Sequence, residues 1–357
     1  MSTPITIHET IASRVLTGRG AVDHVPEEVE RLRAGRVLLV ATPSAKATAD
    51  RVAHALGARL AARFDRPAAH TPVAVTDEAM TVVEAAAADC VVAIGGGSAI
   101  GLAKAVSART GMPQIAVPTT YAGSEVTPVL GETEDGVKTT RRDPALMPGT
   151  VVYDPDLTLT LPPGLTRTSA VNALAHAVEA LWSPTASPIT DALATEAVDG
   201  ILSALPAVLD NPGDPEARGR LQTAAWLAGI CLAQARMGLH HQLAHVLGGA
   251  FDLPHAELHT LLLAHIMAFN RPAAPEAFAR MTRAIGGDPV AAVSELARAY
   301  GGKTTLADLG VPADELRTIA ERVAAAPYPN PRPLTVDDVA ALLDDAWHGR
   351  IPGGEGR

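Results

Sequence analysis

From Arg36 onward, short runs of β-branched residues alternate with alanine-rich stretches of helical period, and the alternation stops after Tyr153. Parallel strands cannot be joined by tight hairpins, so strand and helix in regular alternation imply a parallel sheet with helical crossovers. Apolar runs predict strands at 36–41, 90–94, 114–117 and 151–153, with helices at 44–56, 76–88 and 98–110 between them. Beyond Asp156 the pattern is helical only, at about 166–182, 187–210, 214–235, 239–250 and 256–270, with several more to the end. Leu161-Pro-Pro-Gly164 marks the change, since Pro and Gly interrupt both kinds of element. The expectation is an α/β nucleotide-binding domain with a parallel sheet over 1–160, then an all-helical catalytic domain over 161–357. Asn211-Pro-Gly-Asp-Pro215 and the Pro-rich 327–333 read as turns between helices, and 353–357 as a frayed tail.

A chain of 357 residues suits two domains. Its aromatic content is 3%, so its cores must be built from Ala, Val and Leu. A net charge of -10 argues against nucleic acid and anionic membrane surfaces as partners. The two cysteines, Cys90 and Cys231, sit in apolar stretches and are expected to be buried, inert thiols. With no basic leader and no long apolar run, a cytoplasmic protein is expected. Residues 5–15 alternate apolar and polar, like a strand suited to pairing with a second subunit.

Gly95-Gly96-Gly97-Ser98 follows an apolar strand and opens a helix, where backbone N–H groups and the helix dipole can receive a pyrophosphate. The next strand ends in Pro118-Thr119-Thr120-Tyr-Ala-Gly-Ser124-Glu125, a second polar loop at the same sheet edge. Thr119, Thr120 and Ser124 offer hydroxyls to phosphate, ribose or carboxamide. NADH or NADPH is the expected cofactor, and no acid follows the first strand, at Val40-Ala-Thr-Pro-Ser44, to hold a ribose hydroxyl. Lys104 and Lys138 are candidate phosphate ligands or plain solvated charges.

The second half carries Asn172-Ala-Leu-Ala-His176 and Gly238-Leu-His-His-Gln-Leu-Ala-His-Val-Leu-Gly-Gly-Ala-Phe-Asp-Leu-Pro-His255. Residues four apart share a helix face, which pairs Asn172 with His176 and His241 with His245. His255 follows a Pro and is expected in the first turn of a further helix. Three imidazoles and a carboxylate would suit a divalent metal, but an amide at the fourth position is neutral and a poor ligand. His240 should point about 100° away from His241. His259 and His265 are expected to be structural, His259 within reach of His255, and His8, His24, His54, His70 and His348 to be surface residues. Arg141, Arg142 and Arg236 are candidates for binding carboxylates.

The glycine turn together with these histidine motifs resembles the iron-containing alcohol dehydrogenase superfamily, which shares a fold with dehydroquinate synthase. Within it the motifs 118–125, 172–176, 238–241 and 251–255 look most like the maleylacetate reductase branch. That branch has Lys where this chain has Gln242. The resemblance places the metal-ligand positions of metal-dependent members on Asn172, His176, His241 and His255, and a further active-site histidine on His245. It implies a homodimer that reduces maleylacetate, a small dicarboxylate, to 3-oxoadipate in aromatic-compound degradation. Without a carboxylate at Asn172 no metal is expected, and His241 and His245 become the proton donor and its partner, with spacing leaving open which is which. His176 and His255 then shape the pocket. The alternative is another reductase of the superfamily, acting on a different enone, keto acid or aldehyde.

Overall fold

Strands and helices alternate through the first half because each buried strand is followed by an amphipathic stretch that covers one face of the sheet. The computed structural model describes residues 13–299, 301–326 and 328–351. Among these, six strands form one parallel sheet: β1 (Arg14–Thr17), β2 (Val37–Ala41), β3 (Leu60–Phe64), β4 (Cys90–Gly95), β5 (Gln114–Pro118) and, after a hairpin, β8 (Thr150–Tyr153). Their spatial order is β1-β8-β5-β4-β2-β3. The helices α1 (Val25–Arg31) and α2 (Lys46–Leu56) cover one face, and α3 (Val73–Ala86) and α4 (Gly97–Thr110) the other. Side chains alternate accordingly: Val37, Leu39, Val92 and Ile94 pack toward α1 and α2, while Leu38, Val40, Val91 and Ala93 pack toward α3 and α4.

Among the described residues nine helices follow: α5 (Pro163–Ala180), α6 (Pro188–Asp210), α7 (Pro215–Gln234), α8 (Leu239–Phe251), α9 (His255–Asn270), α10 (Pro275–Ile285), α11 (Pro289–Arg298), α12 (Leu316–Ala324) and α13 (Val336–His348). α5 is buried all along from Thr166 to Ala180 and is packed by α6, α7 and α9. Its alanines let those neighbours approach closely, and truncating a larger side chain such as Leu174 to Ala would cost about 2–5 kcal/mol. A second core joins α8 and α9 to α12 and α13 through Leu243, Leu247, Leu262, Ile319 and Leu343. Among the described helices α6 alone is long and apolar enough to cross a membrane. It is a core helix instead, with Ala194, Ala197, Val198, Ile201 and Leu205 buried in the cluster that α5 and α7 share.

Three elements depart from the sequence expectation. β3, Leu60-Ala-Ala-Arg-Phe, is half-buried at the sheet edge and too alanine-rich to show a strand pattern. β6 (Val129–Glu134) and β7 (Val137–Arg142) form an antiparallel hairpin, so Lys138 lies in a strand opposite Thr133 rather than in a loop. Its sequence is polar, yet Asp135-Gly136 at positive φ (49° and 77°) is the two-residue turn that a hairpin demands. The strand expected at 5–15 falls mostly outside the described residues. Its last residues belong to β1, which pairs in parallel with β8 of the same chain and forms the sheet's outer strand. The tail at 353–357 is also outside the described residues.

Candidate active site

The chain runs from β2 outward to β3 and then returns to the other side of β2 as β4. The carboxyl ends of β2 and β4 therefore flank a topological switch point, where open α/β sheets bind ligands. Gly95 ends β4 with φ of 151°, and a Cβ there would lie 2.8 Å from Thr42 Cγ2. A Cβ on Gly96 would meet Thr120 Cγ2 at 3.0 Å, while Gly97 faces open space. Only glycine lets the backbone turn this tightly against the neighbouring loops. α4 begins with no side-chain cap, so the N–H groups around Gly97 and Ser98 are open to an anion. The turn Gly95–Ser98 and the pair Thr119–Thr120 thus lie against each other at the carboxyl ends of β4 and β5, where Thr119 N–H donates to the Gly95 carbonyl at 3.0 Å.

Ser124 opens the next turn, with its Oγ buried and unpartnered among the described residues. Lys104 is not the solvated or phosphate-binding charge considered from the sequence. It is buried, and its Nζ donates to the carbonyls of Ser124 (2.5 Å), Thr127 (2.7 Å) and Val129 (3.0 Å). Burial pushes its pKa down to about 7. Its role is to tie α4 to the 124–129 loop. Cys90 and Cys231 are buried, and burial pushes both thiols up to about 12.

The histidines assemble around α8. α5 presents Asn172, His176 and Glu179 on one face, all buried. Glu179 accepts hydrogen bonds from the backbone N–H groups of Gly238 (3.0 Å) and His240 (2.9 Å) and from His241 Nδ1 (2.6 Å). A side chain from another helix therefore caps the N-terminus of α8, whose own N-cap, Gly238, has none to offer. Gly238 must be glycine, because a Cβ would sit 2.4 Å from the Pro329 carbonyl oxygen. Burial, the largest influence on Glu179, raises its pKa, but the His241 hydrogen bond, its charge and the Gly238 N–H outweigh it, so the carboxyl lies below its ordinary value. An ionised carboxylate only accepts, which puts a proton on Nδ1 of His241 and leaves Nε2 buried and unpartnered among the described residues.

His176 stacks on His241 with ring centroids 5.1 Å apart. His255, at the start of α9, is half-buried and lies 5.2 Å from the exposed His245. His240 and His259 join the cluster rather than the general core: His240 Nε2 meets His259 Nδ1 at 2.7 Å, and His259 Nε2 meets His255 Nε2 at 2.9 Å. His240 does point away from His241, but α9 crosses there and supplies His259. Burial pushes His240 down to about 3 and holds His176 and His259 well below the ordinary imidazole value, with neighbouring imidazoles adding to it for the last two. These three are neutral. His265 takes no part in these contacts and is pushed down to about 4 by burial. His24, His54, His70 and His348 are exposed, and His8 lies outside the described residues.

The positions that the resemblance assigns to metal ligands do not fit a divalent cation. Asn172 brings a buried, unpartnered amide oxygen where a carboxylate would offset the charge, and the His255 Nε2 is engaged by His259. Of the arginine candidates, Arg141 is exposed beside Asp143 at 3.5 Å, whereas Arg142 and Arg236 line one cavity. Sequence reasoning missed Glu179. Its signal was a lone charge in the apolar run of α5, three residues after His176 and seven after Asn172.

Comparison with known proteins agrees with this architecture. Residues 12–155 match the family described as iron-containing alcohol dehydrogenase, and residues 166–347 match the C-terminal part of the Fe-containing alcohol dehydrogenase family. The chain is 47% identical over 341 residues to maleylacetate reductase 1 of Rhodococcus opacus, covering 95% of this chain and 96% of that one. It is 45% identical over 347 residues to maleylacetate reductase of Sphingobium indicum, covering 97% and 98%. The crystal structure of maleylacetate reductase from Agrobacterium tumefaciens superposes with a TM-score of 0.94 at 44% identity, covering 98% of this chain and all (100%) of that one. The chain belongs to the iron-containing alcohol dehydrogenase family of oxidoreductases.

Proposed function

We propose that this enzyme reduces maleylacetate to 3-oxoadipate with NADH or NADPH, as its named relatives suggest, and that it does so without a metal. The observation that carries the mechanism is the buried Glu179–His241 pair, which leaves one imidazole nitrogen of His241 unpartnered among the described residues, with its ring stacked on His176. The nicotinamide, when bound, supplies a hydride for the alkene carbon β to the substrate ketone. His241, charged on Nε2 and balanced by Glu179, hydrogen-bonds the enolate oxygen that develops and returns a proton to the adjacent carbon. Both carbons of the former double bond then carry one new hydrogen, and the ketone is restored. The neutral His176 and the amide of Asn172 orient the ketone and His255 shapes the pocket, while Glu179 takes the place beside His241 that was expected of His245, which is exposed next to His255.

The glycine turn at 95–97, Ser98, Thr119, Thr120 and Ser124 are the proposed cofactor contacts, with Lys138 on β7 as a further one. The division at 160/161 into nucleotide and catalytic domains, a cytoplasmic location and a homodimer belong to the same reading. The outer position of β1 in the sheet supports the dimer.

The test is purified enzyme with NADH and maleylacetate, followed at the nicotinamide absorbance before and after chelator treatment. Unchanged turnover after chelation is expected. Turnover restored only by ferrous or zinc salts would remove the imidazolium mechanism, and oxidation of neither NADH nor, in a parallel assay, NADPH would remove the substrate assignment.

A further inference from the structure

We propose that the cavity between β7, the α7–α8 link and the α12–α13 link is a carboxylate subsite, with Arg142 and Arg236 as its recognition groups; this deepens, and rests on, the dicarboxylate reading above. The cavity has a volume of about 700 Å³ and is lined by Arg142, Arg236, Thr185, Gln234, Tyr328 and apolar neighbours. In a chain with 39 acidic and 29 basic residues, its wall holds two guanidiniums and no carboxylate. Among the described residues neither arginine has an acidic partner within ion-pair distance. Cations grouped without a counter-charge repel one another, and an anion between them relieves that repulsion.

The two groups come from different parts of the chain, and the Arg142 side chain and the Arg236 backbone are held in place. Arg142 ends the hairpin, and its Nη2 donates to the Ala233 carbonyl, which anchors one corner of the fork and leaves the other donors available. The backbone of Arg236 is held from both sides: its N–H donates to Thr185 Oγ1 at 2.9 Å, and its carbonyl accepts from Ser183 Oγ at 2.9 Å. Its side chain stays exposed. The cavity also adjoins the histidine cluster. Met237 in its wall precedes Gly238, the Pro329 carbonyl packs on Gly238, and His241 lies in the first turn of α8 that Gly238 opens. A carboxylate held here places the diacid beside the end of α8 that carries His241.

The experiment compares wild type with Arg236→Met, Arg142→Met and Arg236→Lys in two assays. In turnover, each Met variant should raise the KM for maleylacetate roughly 10- to 100-fold, the factor carried by a charge-assisted hydrogen bond, with the KM for NADH unchanged and partial recovery in Arg236→Lys. In calorimetry, adipate, a plain diacid, should bind wild type and lose affinity by a similar factor in Arg236→Met. Binding of adipate is independent of turnover, so an enzyme inactive on maleylacetate defeats the functional reading while leaving the subsite decided by adipate alone. Equal adipate affinity in wild type and Arg236→Met, no adipate binding by wild type, or a shift confined to the KM for NADH would overturn the proposal.

Discussion

Replacing Glu179 with Gln removes a charge while keeping the volume of the side chain, and the hydrogen-bond pattern says what must follow. Oε2 receives Gly238 N–H and His241 Nδ1–H, and Oε1 receives His240 N–H. An amide has one acceptor oxygen, so its NH2 must face at least one of these donors. The less costly orientation leaves His240 N–H buried against another donor, a loss of about 1–3 kcal/mol. Protonated His241 also loses its counter-charge, and breaking a buried ion pair from one side costs about 3–5 kcal/mol when the imidazolium forms. The first cost appears in the resting enzyme, as a lower urea midpoint at pH 7. The second appears when the proton donor must be charged, as a fall in kcat of about 10²- to 10⁴-fold. A Glu179→Gln enzyme with the lowered urea midpoint but kcat within a factor of about three of wild type would refute the assignment of His241 as the acid.

Two further outcomes follow from the same cluster. His176, His240 and His259 stay neutral in the folded protein, whereas in the unfolded chain each takes a proton near pH 6.5; the unfolded state then binds more protons, so stability falls as pH drops below 6.5. The slope is about 1.4 kcal/mol per pH unit for each imidazole, roughly 4 for the three together, and urea midpoints at pH 7, 6 and 5 that coincide would contradict it. Below pH 4.5 the stabilisation from Glu179, whose folded pKa is lowered, begins to be lost as well. Gly238→Ala forces a Cβ against the Pro329 carbonyl and should destabilise by about 1–3 kcal/mol, read as a drop in Tm; a variant as stable as wild type would show that the α12–α13 link moves freely.

Hairpin β6–β7 and strand β3 show where local pattern fails. An edge strand and a solvated hairpin bury too little to impose alternation on their sequences, so only the Asp135-Gly136 turn marks the hairpin. Lys104 shows the converse: a helix period can place it on α4, but nothing near it in sequence announces that the 124–129 carbonyls will surround it.

Sequence alone determined what depends on neighbours along the chain. The parallel α/β half, the helical half, the glycine turn and the placing of Asn172 and His176 on one face of α5 all follow from periods of two and 3.6 residues and from the backbone freedom of glycine. Tertiary structure decided which of those groups has chemistry to do. Glu179 reaches His241 across 62 positions, His259 reaches His240 across 19, and Arg142 reaches the last turn of α7 across 91, contacts set by how elements pack. A hydrogen bond joining distant residues leaves no periodic trace, because it constrains the distance between two elements and not the order of residues within either.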